Sequence, residues 1–551
     1  IVTVGYATIF DKLIYSLQRS IFLVQEAPIM DQIRELLQSS NSEIKQNTYK
    51  IISALATSNP HTHLLSALII VLDDENPYVR ADACLTLGKI GENAAKPIVI
   101  SKLLQTLDDN NDNVRRNACK TLGDIGVKVV THEMLNKLVS ILADENEDIR
   151  EHACQALGKL GEKAATNEVI DNLVKALGDE NWNVRVNVCK ALHAIGGHKA
   201  MTKVISKLME ALDNDNWKVK GNAIKALGEI GESAATSEVI GKLVSALGDE
   251  NWNVRENACR ALPAIGGHVA MTELISMLVE AFDNDNWMIR ANACTVLGNM
   301  EEKITTSEVI STLVNAFGDE NDDVRKNASD ALGRIARKAP TNELINKLLN
   351  ALQHDDWKVR KNACIVLGRI GEKIAVNEVF SRLMELQRDE NKIVRWRACQ
   401  AICQIGKNVV IVDDISTLLS ALTDEHDDIR QNVCYALGEI GEKIATTEVI
   451  NNLIQVLNDT NENVREHACQ AFGKMGKSVA TESVVNKLTD LVEDTNWQVR
   501  ASACQTLGKL GEQAATKRTI QKLLNALDDK SWKVRQNTCH TLGQLGAKIA
   551  T

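Results

Sequence analysis

The side chains in this sequence able to do chemistry are its thiols, imidazoles and indoles, and the thiols come first by number. Twelve of the 13 cysteines share one register: Cys84, Cys119, Cys154, Cys189, Cys259, Cys294, Cys364, Cys399, Cys434, Cys469, Cys504 and Cys539. A thiolate metal site uses close Cys pairs, and no C-x-x-C occurs. Ile224 and Ser329 fill the same place in two copies. The position therefore asks for a small, mostly apolar group, and a free thiol serves as one. Helices stacked about 8–10 Å apart hold such residues beyond the roughly 7 Å that a disulfide bridges. The column reads as packing, and so does Cys403, one helical turn after Cys399. A core rich in free thiol fits a reducing compartment, so a cytoplasmic location is expected.

The imidazoles offer less. His61 and His63 have metal-ligand spacing but adjoin Pro60, which puts them in a solvated turn. No phosphate-binding P-loop, zincin HExxH or nucleophile-elbow GxSxG occurs. No catalytic residue, metal or cofactor is expected.

What positions all these residues is a repeat, the first thing to seek in a long chain. A Val-Arg or Ile-Arg dipeptide runs from Arg80 to Arg535 in 13 equal steps of 35 residues, with Lys220 replacing Arg once. A weaker fifteenth copy sits at Ile44-Lys45. In one unit, Val239, Ile240, Leu243, Val244 and Leu247 fall at helical spacing and predict a first helix over 236–247. Gly248-Asp249-Glu250-Asn251 is the turn, with Asn or Asp available as a cap. Val254, Ala258, Cys259, Ala261, Leu262 and Ile265 predict a second helix over 252–265, ended by Gly266-Gly267. Two short amphipathic helices bury their apolar faces only by stacking on neighbouring pairs, which is a solenoid. With 44% hydrophobic residues a long core is available, and six prolines and 3% aromatics suit helices better than strands.

The second helix of each pair leaves one face outside the core: positions −3, −2, +1, +2, +5 and +9 counted from the Arg. Trp fills −3 in seven copies: Trp182, Trp217, Trp252, Trp287, Trp357, Trp497 and Trp532. Asn fills +2 in nine, including Asn187, Asn222, Asn257, Asn292 and Asn362. Trp offers flat apolar walls, and Asn offers a paired donor and acceptor to an extended backbone. The columns stand five residues apart, roughly 140° round the helix. Packing against the preceding repeat is the plainer role for either. Across fourteen copies the face holds 18 Lys or Arg and 16 Asp or Glu, and the whole chain is at −10. A groove that tracks phosphates needs a far larger basic excess, so nucleic acid is disfavoured. No apolar run is long enough to span a bilayer.

The phrases DENWNVRENACRALPAIGG (249–267) and DENEDIREHACQALGKLGEK (144–163) resemble HEAT repeats, most of all the phycobilisome-lyase HEAT-like subgroup. The resemblance rests on an Asp, an Arg six residues later, then small residues and a Leu-Gly-x-Ile-Gly ending, and it covers 28–551. It implies that pairs such as Asp249 and Arg255 build a hydrogen-bonded ladder between repeats. Asn214, Asn284 and His354 break the Asp column. The Trp and Asn columns are similar to those of armadillo proteins of the importin-α kind, which clamp extended peptides, although there the two stand four apart. A relative with enzymatic activity, deoxyhypusine hydroxylase, holds iron through several His-Glu dipeptides; this chain has one, His132-Glu133. Bilin lyases give a second enzymatic alternative.

The expected fold is all-α, a right-handed α-α superhelix of the HEAT/ARM solenoid type with about 15 tandem pairs of 35 residues. Residues 1–40 read as an N-terminal helical cap or the remnant of an upstream region. Residues 41–551 read as one continuous array, itself a fragment of a longer one. The expected function is a non-catalytic scaffold or adaptor. It binds proteins or peptides through the helix-B face, with Trp182, Asn187, Trp217, Asn222, Trp252, Asn257, Trp287, Asn292, Trp357 and Asn362 as contacts. The alternatives are a metal- or chromophore-dependent enzyme of the hydroxylase or lyase kind, and a regulatory arm of a larger protein.

Overall fold

The computed structural model describes residues 35–36, 47–49, 62–267, 270–300, 306–371, 376–406 and 415–549. Among these, every regular element is an α-helix or a 3₁₀ turn. None is long and apolar enough to cross a membrane. The chain divides into two compact units, residues 1–277 and 278–551. Pro60, His61 and residues 1–34 and 37–40 lie outside the described residues.

In the first unit the pattern is a helix A, a helix B and a 3₁₀ turn. Helix A Ser237–Ala246 starts at Thr236, whose hydroxyl accepts from the Val239 amide at 3.2 Å. Helix B Trp252–Gly266 starts at Asn251, whose carboxamide oxygen accepts from the Asn253 amide at 2.9 Å. Both caps satisfy amide donors that the first turn leaves open. Val239, Ile240 and Leu243 from helix A meet Val254, Ala258, Leu262 and Ile265 from helix B, all buried. The connector from one helix pair to the next is partly ordered. Gly231, at φ 67°, turns the chain into the 3₁₀ segment Gly231–Ala234, and the Ala234 side chain is buried. A positive φ is one that glycine adopts at little steric cost.

Successive B helices approach closely because a glycine faces a small residue. A Cβ at Gly123 would lie 2.7 Å from the Ala156 Cα. The Leu-Gly pair near the end of most B helices thus helps to set the repeat spacing.

The Asp–Arg pairs form a ladder, each Arg reaching the Asp of the following repeat. In the first unit the Arg80 Nε lies 2.7 Å from Asp109, Arg115 Nε 2.9 Å from Asp144 and Arg150 Nε 2.7 Å from Asp179. Lys220 keeps the rung with Asp249 at 2.8 Å. Where Asp is replaced, the rung is lost. Asn214 still accepts from the Asn216 amide at 2.9 Å, but the buried Nε of Arg185 finds no partner. Asn214 lines a cleft of about 540 Å³ between successive A helices.

The second unit repeats this scheme. Arg290, Arg430, Arg465 and Arg500 reach Asp319, Asp459, Asp494 and Asp529 at 2.6–2.9 Å. His354 breaks a rung as Asn214 does. The Arg325 Nε is buried without a partner, and His354 lines a cleft of about 560 Å³ at the equivalent place. Arg395 pairs with Asp428 instead of the Asp424 of the column. Gln387 stands in a core position filled by Phe317 and Leu352 in the two preceding copies. It is buried, with both amide atoms unpartnered.

The cysteine column packs as its register implies, with one correction. Cys539 is exposed. The other twelve cysteines are buried and free. Burial pushes the Cys84, Cys189 and Cys259 thiols up to about 12, far from the range of a reactive thiolate.

Candidate functional site

The helix-B face is built from its caps upward. Asn181, Asn216 and Asn251 cap the helices whose first residues are Trp182, Trp217 and Trp252. The turns before Asn181 and Asn251 are braced from inside. Asp249 accepts from the Asn251 amide at 2.9 Å, and the Arg255 Nη1 donates to the Asp249 and Glu250 carbonyls at 2.6 and 2.9 Å. Arg185 grips the Asp179 and Glu180 carbonyls in the same way. A Trp on the first helical residue is therefore carried by a turn with little freedom of its own.

These indoles face solvent. In the first unit Trp182, Trp217 and Trp252 are 58%, 39% and 60% exposed. Lys225, from the following repeat, sets its ammonium 4.7 Å from the Trp182 ring centroid, and the Arg185 guanidinium lies 5.5 Å from the same ring. Such cation–π contacts hold a ring in place without covering it. In the second unit Trp287, Trp497 and Trp532 are exposed, while Trp357 is half-buried with the Lys361 ammonium 5.7 Å away. Lys533 lies between two indoles, 5.7 Å from Trp497 and 5.9 Å from Trp532.

The asparagines turn the other way. Position +2 was read as part of the exposed face, but in most copies it points toward the preceding repeat. Asn257 donates its amide to the Gly221 carbonyl at 3.0 Å, and Asn222 donates to the Leu177 carbonyl at 3.1 Å. Asn187 donates to Glu151 at 3.2 Å and to the Asn183 carbonyl at 2.9 Å. In the second unit Asn362, buried, donates to the Phe317 carbonyl at 3.2 Å. Asn292 is half-buried. The physical reason is the tight spacing of repeats. It brings carbonyls of the preceding repeat within reach, on helix B at Gly221 and at the end of helix A at Leu177 and Phe317, so the buried amide is not left unpaired. Trp and Asn therefore do different work: one column faces outward, the other joins repeats.

His132 and Glu133 are both exposed at the start of the helix A His132–Ile141. Among the described residues no three His, Cys, Asp or Glu side chains converge as metal ligands would.

One cluster escaped the sequence reading. In the second unit Trp396, Tyr435 and His467 come from three successive B helices. The first two rings lie 5.4 Å apart, and the last two 6.5 Å. Beside them is a cavity of about 370 Å³ lined by Arg369, Arg397, Gln400, Cys403, Gln404, Tyr435 and Glu439. Trp396 lies off the Trp column, at +1, and Tyr435 at +5, so inspection of one column at a time misses them.

Comparison with known proteins places this architecture. A search of the curated proteins finds no match. Among solved structures, the karyopherin Kap121p bound to the extreme C-terminus of the protein phosphatase Cdc14p is similar, with 14% identity and a TM-score of 0.48. That match covers 94% of this chain and 66% of the karyopherin. Kap121p bound to the SUMO protease Ulp1p gives 14% identity and 0.48, over 95% of this chain and 65% of the other. Importin beta gives 16% and 0.40, over 95% and 83%. The chain thus spans just under two thirds of the length of the Kap121p chains. The family model described as HEAT repeats matches residues 100–168, 135–206, 205–285, 275–345, 345–413, 415–491, 450–518 and 485–551. With helix pairs recurring every 35 residues beneath those matches, the chain belongs to the HEAT-repeat family.

Proposed function

We propose that this chain is a non-catalytic scaffold that binds protein or peptide partners along the exposed face of its B helices. The observation that carries this reading is the run Trp182, Trp217 and Trp252: three large apolar side chains on successive repeats, 39–60% exposed, with Trp182 and Trp252 on turns gripped by Arg185 and Arg255. Exposed indoles at regular spacing are costly in water and suit a surface that is covered on binding. Asn187, Asn222 and Asn257 support the surface by fixing the spacing of the helices that present it. Trp287 and Trp357, with Asn292 and Asn362, extend the proposal to the second unit as a surface of its own. The family matched is a structural repeat, and no catalytic family accompanies it.

The test is affinity capture from a source lysate by the whole chain and by a variant carrying Trp182→Ala, Trp217→Ala and Trp252→Ala. Circular dichroism first shows that both are folded. The same partner held by the parent and lost by the variant supports the reading. Equal capture by both moves the binding surface off these indoles.

A further inference from the structure

Pooled over the whole helix-B face, charge nearly cancels; repeat by repeat, it does not. On the helices Trp357–Ile370 and Lys392–Gly406 the outward positions carry Lys358, Lys361, Arg369, Lys392 and Arg397, and no carboxylate. The helix before them carries Asp322, Asp323 and Asp330 along with Lys326 and Arg334, and the one after carries Asp427, Asp428 and Glu439 with no cation. The basic segment is therefore two repeats long and bounded on both sides by acid.

Its cations are poorly neutralised. Arg369 is tied to Asp330 at 2.6 Å. Among the described residues Lys358, Lys361, Lys392 and Arg397 form no ion pair. Arg397 donates through Nη1 to the neutral Gln400 at 2.8 Å, and its buried Nε has no partner. Burial, together with the nearby Arg325, Arg397 and Lys358, holds the Lys361 ammonium below the usual lysine range. The cavity of about 370 Å³ opens beside Arg397, Gln400, Gln404 and Tyr435. Tyr435 lines it with Trp396 packed 5.4 Å away, and the one carboxylate in the lining, Glu439, is paired with Lys474.

We propose that this basic, aromatic-lined segment of the second unit binds an acidic peptide segment of a protein partner. Carboxylates of the peptide meet Arg397 and the unpaired lysines, and its apolar side chains lie against Trp396 and Tyr435. Arg397 lines the cavity, and charge-assisted bonds between a guanidinium and a carboxylate are the stronger ones. A nucleic acid fits less well. Its phosphates continue at close intervals and would run onto Asp322 and Asp323 at one end or Asp427 and Asp428 at the other, where like charges repel. A short acidic peptide ends where the basic segment ends. The proposal rests on the reading that the helix-B face is the binding face, and it names the partner chemistry there.

The test is fluorescence anisotropy of a labelled peptide of alternating Glu and Tyr, titrated with the whole chain at moderate salt. Two variants report independently: Lys358→Glu with Lys392→Glu, and Arg397→Gln. A control, Lys120→Glu with Lys190→Glu, makes the same charge change on the first unit. The expected result is binding by the parent, at least tenfold weaker binding by each test variant, and a change within twofold for the control. Oligo(dT) of matching charge should fail to compete. Absence of binding, equal loss in the control, or competition by oligo(dT) at the peptide's own affinity overturns the proposal, the last in favour of nucleic acid. The Trp182, Trp217 and Trp252 variant keeps full affinity for this probe, so the two binding readings fail separately.

Discussion

Arg150 joins two repeats with one side chain. Its Nε and Nη2 donate to the Asp179 carboxylate at 2.7 and 2.9 Å, while its Nη1 donates to the Asp144 carbonyl of its own turn at 2.9 Å. Asp179 in turn accepts from the Asn181 amide at 2.8 Å, which fixes the turn that carries Trp182. One ion pair therefore sets both the repeat spacing and the placement of an exposed indole.

Asp179→Asn should isolate the rung from the turn, because Asn214 shows that a carboxamide still accepts the turn amide. Both partners of this pair are largely buried, at 15% and 10% side-chain exposure. Breaking such a pair costs about 1–3 kcal/mol. The reverse change, Asn214→Asp, gives the Arg185 Nε an acceptor and should add about 1 kcal/mol. Urea denaturation of both variants checks this; equal midpoints for all three proteins would rule out an energetic role for the ladder.

Acid should weaken the fold through these carboxylates. Burial alone would raise the Asp109 and Asp179 carboxyls. Hydrogen bonds from Arg80 and Arg150 and from the Asn111 and Asn181 amides, with the charge of those arginines, hold them below the usual range instead. Asp459 and Asp494 are lowered in the same way. A carboxyl lowered in the folded state stabilises it fully above its unfolded value of about 3.9. That contribution is lost as pH falls through the folded value. Stability should therefore stay level from this source between about pH 5 and 8 and fall below about pH 4. Asp179→Asn should make the acid fall shallower, as followed by circular dichroism.

Gln387→Leu should stabilise the second unit. The buried amide has no partner, and burying an unpaired polar group costs about 1–3 kcal/mol. Leu352 and Leu457 stand at the same place in other repeats and are buried. A gain of about that size in denaturant unfolding is expected; a loss would mean that the position needs its amide.

Thiol reagents should find one cysteine in the native protein. Cys539 is exposed and the other twelve are buried. Among these, burial raises the thiol of Cys84 to about 12 and that of Cys504 to about 11. Ellman's reagent should release one equivalent quickly and the rest only on unfolding, and Cys539→Ser should abolish the fast phase. Several fast thiols in the native chain would show that the B helices part readily.

The repeat was legible because a period of 35 residues recurs unchanged, and because caps such as Thr236 and Asn251 have local causes. The exposure of Trp182 and Trp252 was legible as well, since their place on the helix lies off the apolar stripe. The inward turn of Asn222 and Asn362 was not. A single helix shows which face is polar, but not how near the next helix comes, and Gly123 against Ala156 is what sets that distance. Asn214 and His354 were visible as departures, yet the unpartnered Nε atoms of Arg185 and Arg325 appear only in three dimensions. The basic segment around Arg397 was hidden by adding opposite charges from distant repeats.

The missing rungs also bear on how the chain responds to load. Each repeat rests on its immediate neighbours, so no distant contact makes up for a lost pair. Under tension the first unit should begin to stretch at the joint between Arg185 and Asn214, and the second at that between Arg325 and His354. Each joint already has an open cleft beside it. Each unit, a row of nearly identical springs, would then have a built-in soft turn, placed by the choice of Asn214 or His354 over Asp.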